Sequence, residues 1–222
     1  MNHIFQWIHR IGEWIVQGLY LQLLWFVFTL AGLVVFGFMP ATTAVYTVCR
    51  KNMLDDHDDS ITQTFLTAYK ENIIGSNILG MIMVSLALFL YFDLKIVRLE
   101  IPFYPLYIAL LFLAVLYFLI MLYIFPVFAH YQLKKAQYVK QALFIALARP
   151  LETIGMIVLI ISLYYIFYFL PILFIFLSVP LVVDPMMRIA FHAFNGLNKK
   201  AKKPLQTKLN EEASSVLSPR RY

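Results

Sequence analysis

Residues 37–51, Gly-Phe-Met-Pro-Ala-Thr-Thr-Ala-Val-Tyr-Thr-Val-Cys-Arg-Lys, set the fold that we expect for this chain. They end an apolar run over 15–38 that is long enough to cross a hydrocarbon core about 30 Å thick. Proline 40 lacks a backbone donor, so we expect the chain to leave the bilayer there and turn. The apolar residues that follow recur at helical spacing, with Arg50 and Lys51 off their stripe. The stretch therefore predicts a transmembrane span followed by a short helix on the membrane surface.

The composition argues against a soluble protein. Of the 222 residues, 62% are hydrophobic and only 14% are charged, whereas soluble domains are about half apolar and about a quarter charged. A soluble fold of this size would leave large apolar patches exposed. The net charge of +6 does not indicate nucleic acid, because the basic residues flank apolar runs and no nucleic-acid-binding motif is present. We therefore predict an integral membrane protein whose partner is the lipid bilayer.

Five apolar segments are long enough to be transmembrane helices, so the predicted fold class is an all-α integral membrane protein. Residues 1–14 are expected to be an interfacial amphipathic lead-in, and 15–197 to form a single membrane domain. The segment 198–222 is basic and too polar to fold alone, which predicts a disordered cytoplasmic tail. The last uncharged stretch exceeds one straight helix and is divided at Pro171. The predicted spans are about 15–38, 73–92, 104–125, 151–169 and 172–194.

Short cytoplasmic amphipathic helices are expected between the spans. Residues 60–63, Ser-Ile-Thr-Gln, fit a capping box that starts one of them, and 130–148 are basic and amphipathic. The order of span, proline, aromatic residue, cations, amphipathic helix and span occurs twice, matching Phe65 in the first copy with Phe144 in the second. Both copies would have the same orientation, so this weak internal repeat is parallel rather than inverted.

Lysine and arginine are unevenly distributed between the two sides of the five-span arrangement. One side carries nearly all of them, from Arg50 to the C-terminal cations, and the other carries only Arg10, Lys95 and Arg98. Basic loops lie preferentially in the cytoplasm, where they also meet the anionic lipids of the inner leaflet. We therefore expect the N-terminus outside and the C-terminus in the cytoplasm.

Asp184, Pro185 and Arg188 form the most polar group within the apolar half of the chain. Asp184 precedes a proline, so it could cap a helix that restarts there, and Arg188 four residues later could pair with it. Alternatively, an ionisable residue inside a span is typical of a functional site that lines a cavity. The structural or functional polar candidates are Pro40, Arg50, Lys51, Lys70, Asn72, Asp184 and Arg188.

Motifs of catalysis and of metal or cofactor binding are absent from the sequence. The chain has no GxSxG, HExxH or P-loop pattern, and its single cysteine, Cys49, excludes an internal disulfide. The acidic loop 55–59, Asp-Asp-His-Asp-Asp, lacks the glycine and the distal glutamate of an EF-hand. We therefore expect no catalytic residue, no metal and no cofactor, which means that the chain is not an enzyme.

Four short segments, 37–44, 50–51, 64–65 and 69–72, together carry a family pattern. With these residues the sequence resembles the YesL family of small bacterial multi-pass membrane proteins of unassigned function. The resemblance is clearest over 15–90, and it implies a location in the bacterial cell membrane.

Members of the YesL family are often associated with carbohydrate ABC-transport systems. The resemblance therefore implies an accessory or assembly role beside sugar uptake, with a transporter permease as the partner. The alternative is a small orphan transporter or channel with a polar site near Asp184, since an ionisable residue within a span is usually functional.

Overall fold

The computed structural model describes the backbone of residues 2–54, 60–99, 103–131, 133 and 135–217, so the acidic loop 55–59 lies outside it. This part of the chain is helical and contains no strand, which confirms the all-α fold class. Five of its helices, α1, α3, α4, α6 and α7, are long and apolar enough to cross a membrane. The helices are α1 (Asn2–Ala31), α2 (Val35–Met53), α3 (Ile61–Leu99), α4 (Tyr104–His130), α5 (Lys135–Ala148), α6 (Pro150–Phe169) and α7 (Pro171–Leu217).

The break between α1 and α2 lies at residues 32–34, so the prediction of a turn at Pro40 is wrong. Pro40 lies inside α2 and is buried, and the first span ends at Ala31 rather than at 38. The error has a physical cause. Residues 31–39 contain no polar side chain and no proline, so their hydropathy gives no sign that the chain reverses within them.

The turn itself satisfies its backbone N–H groups internally. The N–H of Val34 donates to the carbonyl of Thr29 at 2.9 Å, and that of Leu33 to the carbonyl of Leu30 at 3.0 Å. These two bonds form a Schellman motif, with Leu33 (φ 57°) at the left-handed position where glycine is usual. The N–H of Val35 then donates to the Leu33 carbonyl at 2.7 Å, a γ-turn centred on Val34 (φ 65°, ψ −60°).

We expect Val34→Gly to stabilise the folded protein by about 1 kcal/mol, because a β-branched residue at positive φ is strained. The Val34 side chain is half exposed, so its removal costs little packing. Val35→Gly is the matched control: Val35 is also exposed but lies in α2 without a positive φ, so glycine there should destabilise. Thermal unfolding in mild detergent measures both, and equal losses would contradict the strain at Val34.

Helix α2 runs antiparallel to α1 through the middle of the bundle, so the prediction of a surface helix is wrong. It packs against α1, α3, α4 and α7. The hydroxyls of Thr43 and Thr47 donate to carbonyls four residues earlier, which satisfies them within the helix. None of the residues 39–51 is exposed, and a segment buried in protein need not be as apolar as one that faces lipid. Its buried residues are Gly37, Pro40, Ala41, Thr43, Ala44, Val45, Tyr46, Val48 and Cys49.

The start of α1 and the end of α2 lie at the same end of the bundle. The indole Nε1 of Trp14 donates to Oδ2 of Asp184 at 3.4 Å, and Trp14 lines a cavity together with Lys51. The first span was expected to place Trp14 and Lys51 on opposite sides of the bilayer, and this expectation is wrong because α2 returns through the interior. We call this end, which carries Arg50, Lys51, Arg149 and Arg188, the basic end.

Helix α3 continues well beyond the start of α2 at the other end, and α4 accompanies it. The side chain of Met39, near the start of α2, packs against Gly80, and α3 continues from there to Leu99, about 28 Å farther at 1.5 Å per residue. None of the residues 104–119 of α4 is buried. We call residues 81–99 and 103–119 the α3–α4 arm.

The later spans follow the prediction more closely. The segments 73–92 and 104–125 lie within α3 and α4, and the division at Pro171 is confirmed, since α6 ends at Phe169 and α7 begins at Pro171. The rings of Phe167 and Phe174 meet edge to face across this hairpin, with centroids 5.5 Å apart.

The two ends of the chain differ from the expected domain boundaries. Helix α1 runs without a break from Asn2 through the lead-in into the first span. Helix α7 likewise continues past residue 197 to Leu217, so the tail expected to be disordered is helical over 198–217, while 218–222 lie outside the described residues.

The two aromatic residues matched by the predicted repeat pack differently. Phe65 is fully buried, with its ring 5.4 Å from that of Phe28. The segment that starts at the capping box is the first part of α3 rather than a separate helix. Phe144 lies on the separate helix α5 and is 59% exposed.

Candidate functional site

Two cavities open at the basic end, one on each side of the last turns of α2. The Asp184 cavity, of about 470 Å³, includes Trp14, Gln17, Cys49, Asn52, Asp184 and Arg188 in its lining. The Arg50 cavity, of about 350 Å³, includes Arg50, Thr67, Glu71, Asn72, His130 and Tyr131. Lys51 and Thr64 line both cavities. The site is therefore built where α2 ends between α1, α3, α4 and α7.

Asp184 joins two helices in the first of these cavities. Its Oδ2 accepts from Nε of Arg188 at 3.0 Å and from the indole of Trp14 at 3.4 Å. The predicted pairing with Arg188 is thus confirmed. Helix α7 passes Pro185 without a break, so Asp184 does not cap a restarted helix. The carboxylate is mostly buried, whereas the Arg188 side chain is 63% exposed, which leaves a charged pair at the mouth of the cavity.

Gln22 connects α1 to α7 farther from the basic end than Asp184 does. Its Oε1 accepts from the backbone N–H of Val179 at 2.9 Å, and its Nε2 donates to the carbonyl of Ile175 at 3.2 Å and to Ser178 at 3.3 Å. The N–H of Val179 and the carbonyl of Ile175 are the two groups that pair in a regular helix. The Gln22 side chain thus bonds to both groups directly before Pro180, which lines the Asp184 cavity.

Arg50 closes the second cavity against the end of α4. Its Nη1 donates to the carbonyl of Ala129 at 3.3 Å, a favourable place for a cation because helix C-termini carry partial negative charge. Within the described part of the chain, Nε of Arg50 and Nδ1 of His130 are buried without a hydrogen-bond partner. Burial raises the pKa of the Tyr131 hydroxyl.

A third polar group fixes α6 against α7 at the same end. Oε1 of Glu152 lies 3.2 Å from Nη1 of Arg149 and 3.4 Å from Nδ1 of His192. These residues line neither cavity, so we assign them to packing. No group of three or more histidine, cysteine or acidic side chains that could hold a metal ion is found among the described residues.

Five of the seven candidate residues predicted from the sequence line one or both of the cavities. Asp184 and Arg188 line the Asp184 cavity, Arg50 and Asn72 line the Arg50 cavity, and Lys51 lines both. The other two candidates belong to neither: Pro40 is buried inside α2, and Lys70 is exposed on α3. A functional role for any of these residues stays a prediction.

Sequence reasoning missed Trp14, Thr64 and His130 as members of the site. Trp14 was assigned to headgroup depth and His130 to an interface. Positions 14, 64 and 130 belong to three different helices, and no spacing within the chain links them to the end of α2. Only the return of α2 through the bundle brings these residues together.

Comparisons with known proteins agree with the sequence resemblance. A family model described as "Protein of unknown function, DUF624" matches residues 19–94. "Uncharacterized protein YesL" of Bacillus subtilis (strain 168) is 32% identical over 209 residues, covering 91% of this chain and 93% of the relative. "Uncharacterized protein YteU" of the same strain is 34% identical over 189 residues, 82% of each chain.

A third relative from this strain, "Uncharacterized protein YesV", is 34% identical over 164 residues, covering 72% of this chain and 77% of the relative. No solved structure matches the chain. The match to YesL extends over nearly the full length of both chains, well beyond the pattern at 37–72. The chain therefore belongs to the YesL-like family.

Proposed function

We propose that this protein is a non-catalytic accessory or assembly subunit in the bacterial cell membrane, and that its α3–α4 arm binds transmembrane helices of a partner. The partner that we propose is the permease of a carbohydrate-uptake ABC transporter. The arm is the observation that carries the proposal. It is a pair of helices about 28 Å long that leaves large side chains such as Phe89 and Phe112 about 60% exposed.

A two-helix arm in lipid has much unused packing surface. Helices associate in membranes through van der Waals packing and interhelical contacts rather than through the hydrophobic effect. Met83, Leu90 and Val97 of the arm are buried, and the hydroxyl of Tyr117 donates to the carbonyl of Met83, so one face of each arm helix packs against the other helix. The opposite face of each helix is left for such contacts. The choice of a carbohydrate transporter as partner rests on the YesL resemblance.

We further propose that the basic end, with both the N-terminus and the C-terminal helix, faces the cytoplasm. Cations concentrate at this end, as the positive-inside rule requires of the cytoplasmic side. Because α2 brings the chain back, the start of α1 lies on the same side as Lys51. This proposal differs from the outside N-terminus expected for five consecutive spans.

Cysteine labelling in intact cells measures this orientation. In a Cys49→Ala background, Lys95→Cys on the arm should react with a membrane-impermeant maleimide, while Gly12→Cys should react only after the cells are permeabilised. Both positions are exposed in the fold, so access depends on the side of the membrane. Labelling of Gly12→Cys in intact cells would contradict the cytoplasmic N-terminus.

A photo-crosslinking amino acid at Phe112 tests the role of the arm. We expect it to capture a transporter permease in the membrane of the native host. The same group at Val158 on α6, which is 55% exposed, is the matched control and should capture lipid. If Phe112 captures only lipid or a second copy of this chain, the accessory function is wrong.

One observation favours a second candidate, a small transporter. The Asp184 cavity places a carboxylate, a guanidinium, an indole and two amide side chains around about 470 Å³ of space, and ionisable groups within spans are usually functional. Solute uptake by cells that carry the Asp184→Asn variant distinguishes the transporter function from the accessory function. Asp184→Asn should abolish uptake if the cavity transports the solute, and it should leave uptake intact if the arm acts on a partner.

A further inference from the structure

We infer that the Arg50 cavity binds a phosphate group, supplied by the headgroup of an anionic phospholipid or by a small phosphate-bearing solute. This site is separate from the arm and does not depend on the proposed accessory function. Its volume of about 350 Å³ accommodates a phosphate together with the atoms esterified to it.

The donors of the cavity are only partly used within the protein. Nη1 of Arg50 donates to the Ala129 carbonyl. The buried Nε of Arg50 has no acceptor among the described residues, and Nδ1 of His130 has no hydrogen-bond partner among them either. A buried guanidinium N–H without an acceptor is costly, and a charge-assisted bond to an oxyanion is among the strongest that it can make. The orphaned Nε therefore points to an oxygen-bearing ligand.

The charge balance of the lining favours an anion. Among the described residues of the lining, Arg50 and Lys51 are cationic, and Glu71 is the one carboxylate and is exposed. The end of α4 adds a partial negative charge, which the bond from Arg50 to Ala129 offsets. The hydroxyls of Thr64 and Thr67 add uncharged donors, as is common in phosphate sites.

The depth of the cavity matches that of lipid headgroups. Asn72 lines it, and the next residues of α3, Ile73 and Ile74, are exposed apolar side chains at the start of the predicted span. A basic and hydroxyl-lined cavity directly beside the first lipid-facing turn lies where phosphates of the cytoplasmic leaflet are found. A free phosphate-bearing solute would reach the same cavity from the cytoplasm.

Thermal unfolding of the purified full-length protein in neutral detergent tests the site. The probes are short-chain phosphatidylglycerol, short-chain phosphatidylcholine and inorganic phosphate. We expect a saturable rise of the unfolding temperature with an anionic probe and little rise with phosphatidylcholine. Arg50→Gln should weaken the apparent affinity by about tenfold or more, the usual effect of losing a hydrogen bond to a charged group. Arg188→Gln removes an equal charge from the other cavity and should leave the affinity unchanged.

Arg50 also holds the end of α4, so Arg50→Gln can fail to fold. A second pair of variants covers that outcome. Thr67→Glu places a carboxylate in the cavity at an exposed position and should abolish the stabilisation, whereas Gln63→Glu, exposed one turn earlier on α3 and outside the lining, should preserve it.

The outcomes distinguish a lipid headgroup from a phosphate-bearing solute, and they test whether the cavity binds phosphate at all. A rise with phosphatidylglycerol alone identifies a lipid headgroup, and an equal rise with inorganic phosphate identifies a solute. Equal stabilisation by phosphatidylcholine, no stabilisation by either anionic probe, or an unchanged affinity in Thr67→Glu would overturn the phosphate site.

Discussion

Gly37→Ala is expected to lower the free energy of unfolding by about 3 kcal/mol or more, the range for a forced steric clash. A Cβ atom at position 37 would lie 2.5 Å from the carbonyl oxygen of Thr29 and 2.7 Å from that of Phe28. Both neighbours are backbone atoms, so no side chain can move aside. Position 32 faces the same constraint, since a Cβ there would lie 2.3 Å from the Cα of Gly37. The two glycines thus permit the close approach of α1 and α2.

Gly155→Ala is the matched control for this clash. A Cβ at position 155, inside α6, meets nothing within 4 Å, so alanine there should stabilise its helix by about 0.5–1 kcal/mol. Unfolding in a graded mixture of mild and denaturing detergent measures both variants. A Gly37→Ala protein as stable as the parent would mean that α1 and α2 do not pack as closely as described.

Phe65→Ala is the second large expected effect, a loss of about 3 kcal/mol from the cavity that it leaves. Phe65 is fully buried near the start of α3, where its ring contacts those of Phe28 and Tyr69. The surrounding helices are held together by α2 and cannot collapse freely into the space. The loss should therefore appear as a lower unfolding temperature without a change of topology.

Phe144→Ala provides the control with the same side chain removed. Phe144 is 59% exposed on α5, so truncation should change stability by less than about 0.5 kcal/mol. The predicted repeat matched these two residues, and the structure distinguishes them by burial and by the helix on which each lies. Equal losses at positions 65 and 144 would contradict that difference.

The family relationship supports the membrane character of the protein, and the structure supports its candidate sites. Membership of the YesL-like family agrees with a multi-pass bacterial membrane protein, and the relatives are named as uncharacterized proteins. The candidate sites come from the fold itself. The arm offers packing surface, the Asp184 cavity offers a polar lining, and the Arg50 cavity offers a guanidinium N–H without an acceptor among the described residues.

Hydropathy and proline placement were sufficient for the segments that face lipid. A helix that crosses the bilayer must be apolar over about 20 residues, and the predicted spans 73–92, 104–125, 151–169 and 172–194 lie within α3, α4, α6 and α7. The Pro171 hairpin was predicted because an uncharged stretch of that length cannot cross the bilayer as one straight helix. The pairing of Asp184 with Arg188 was predicted because four residues bring two side chains to one helix face.

Only the tertiary structure decided the path of the chain through 31–53. The turn at 32–34 consists of apolar residues, so it looks like a continued span, and α2 is moderately polar, so it looks like a surface helix. None of its side chains from 39 to 51 is exposed, and hydropathy does not detect burial in protein because it measures compatibility with lipid. The close contact of Gly32 with Gly37 makes the reversal possible.

The amino-acid sequence by itself thus determined that this chain lies in a membrane, is helical and has the segments to span it, because the solvent imposes those requirements on each segment separately. The tertiary structure decided which end of α1 meets Lys51, and which residues join Arg50 and Asp184 in the two cavities. Trp14 is far from Asp184 along the chain, as Arg50 is from His130, and the proximity within each pair depends on how α2 packs between the other helices, which no local pattern encodes.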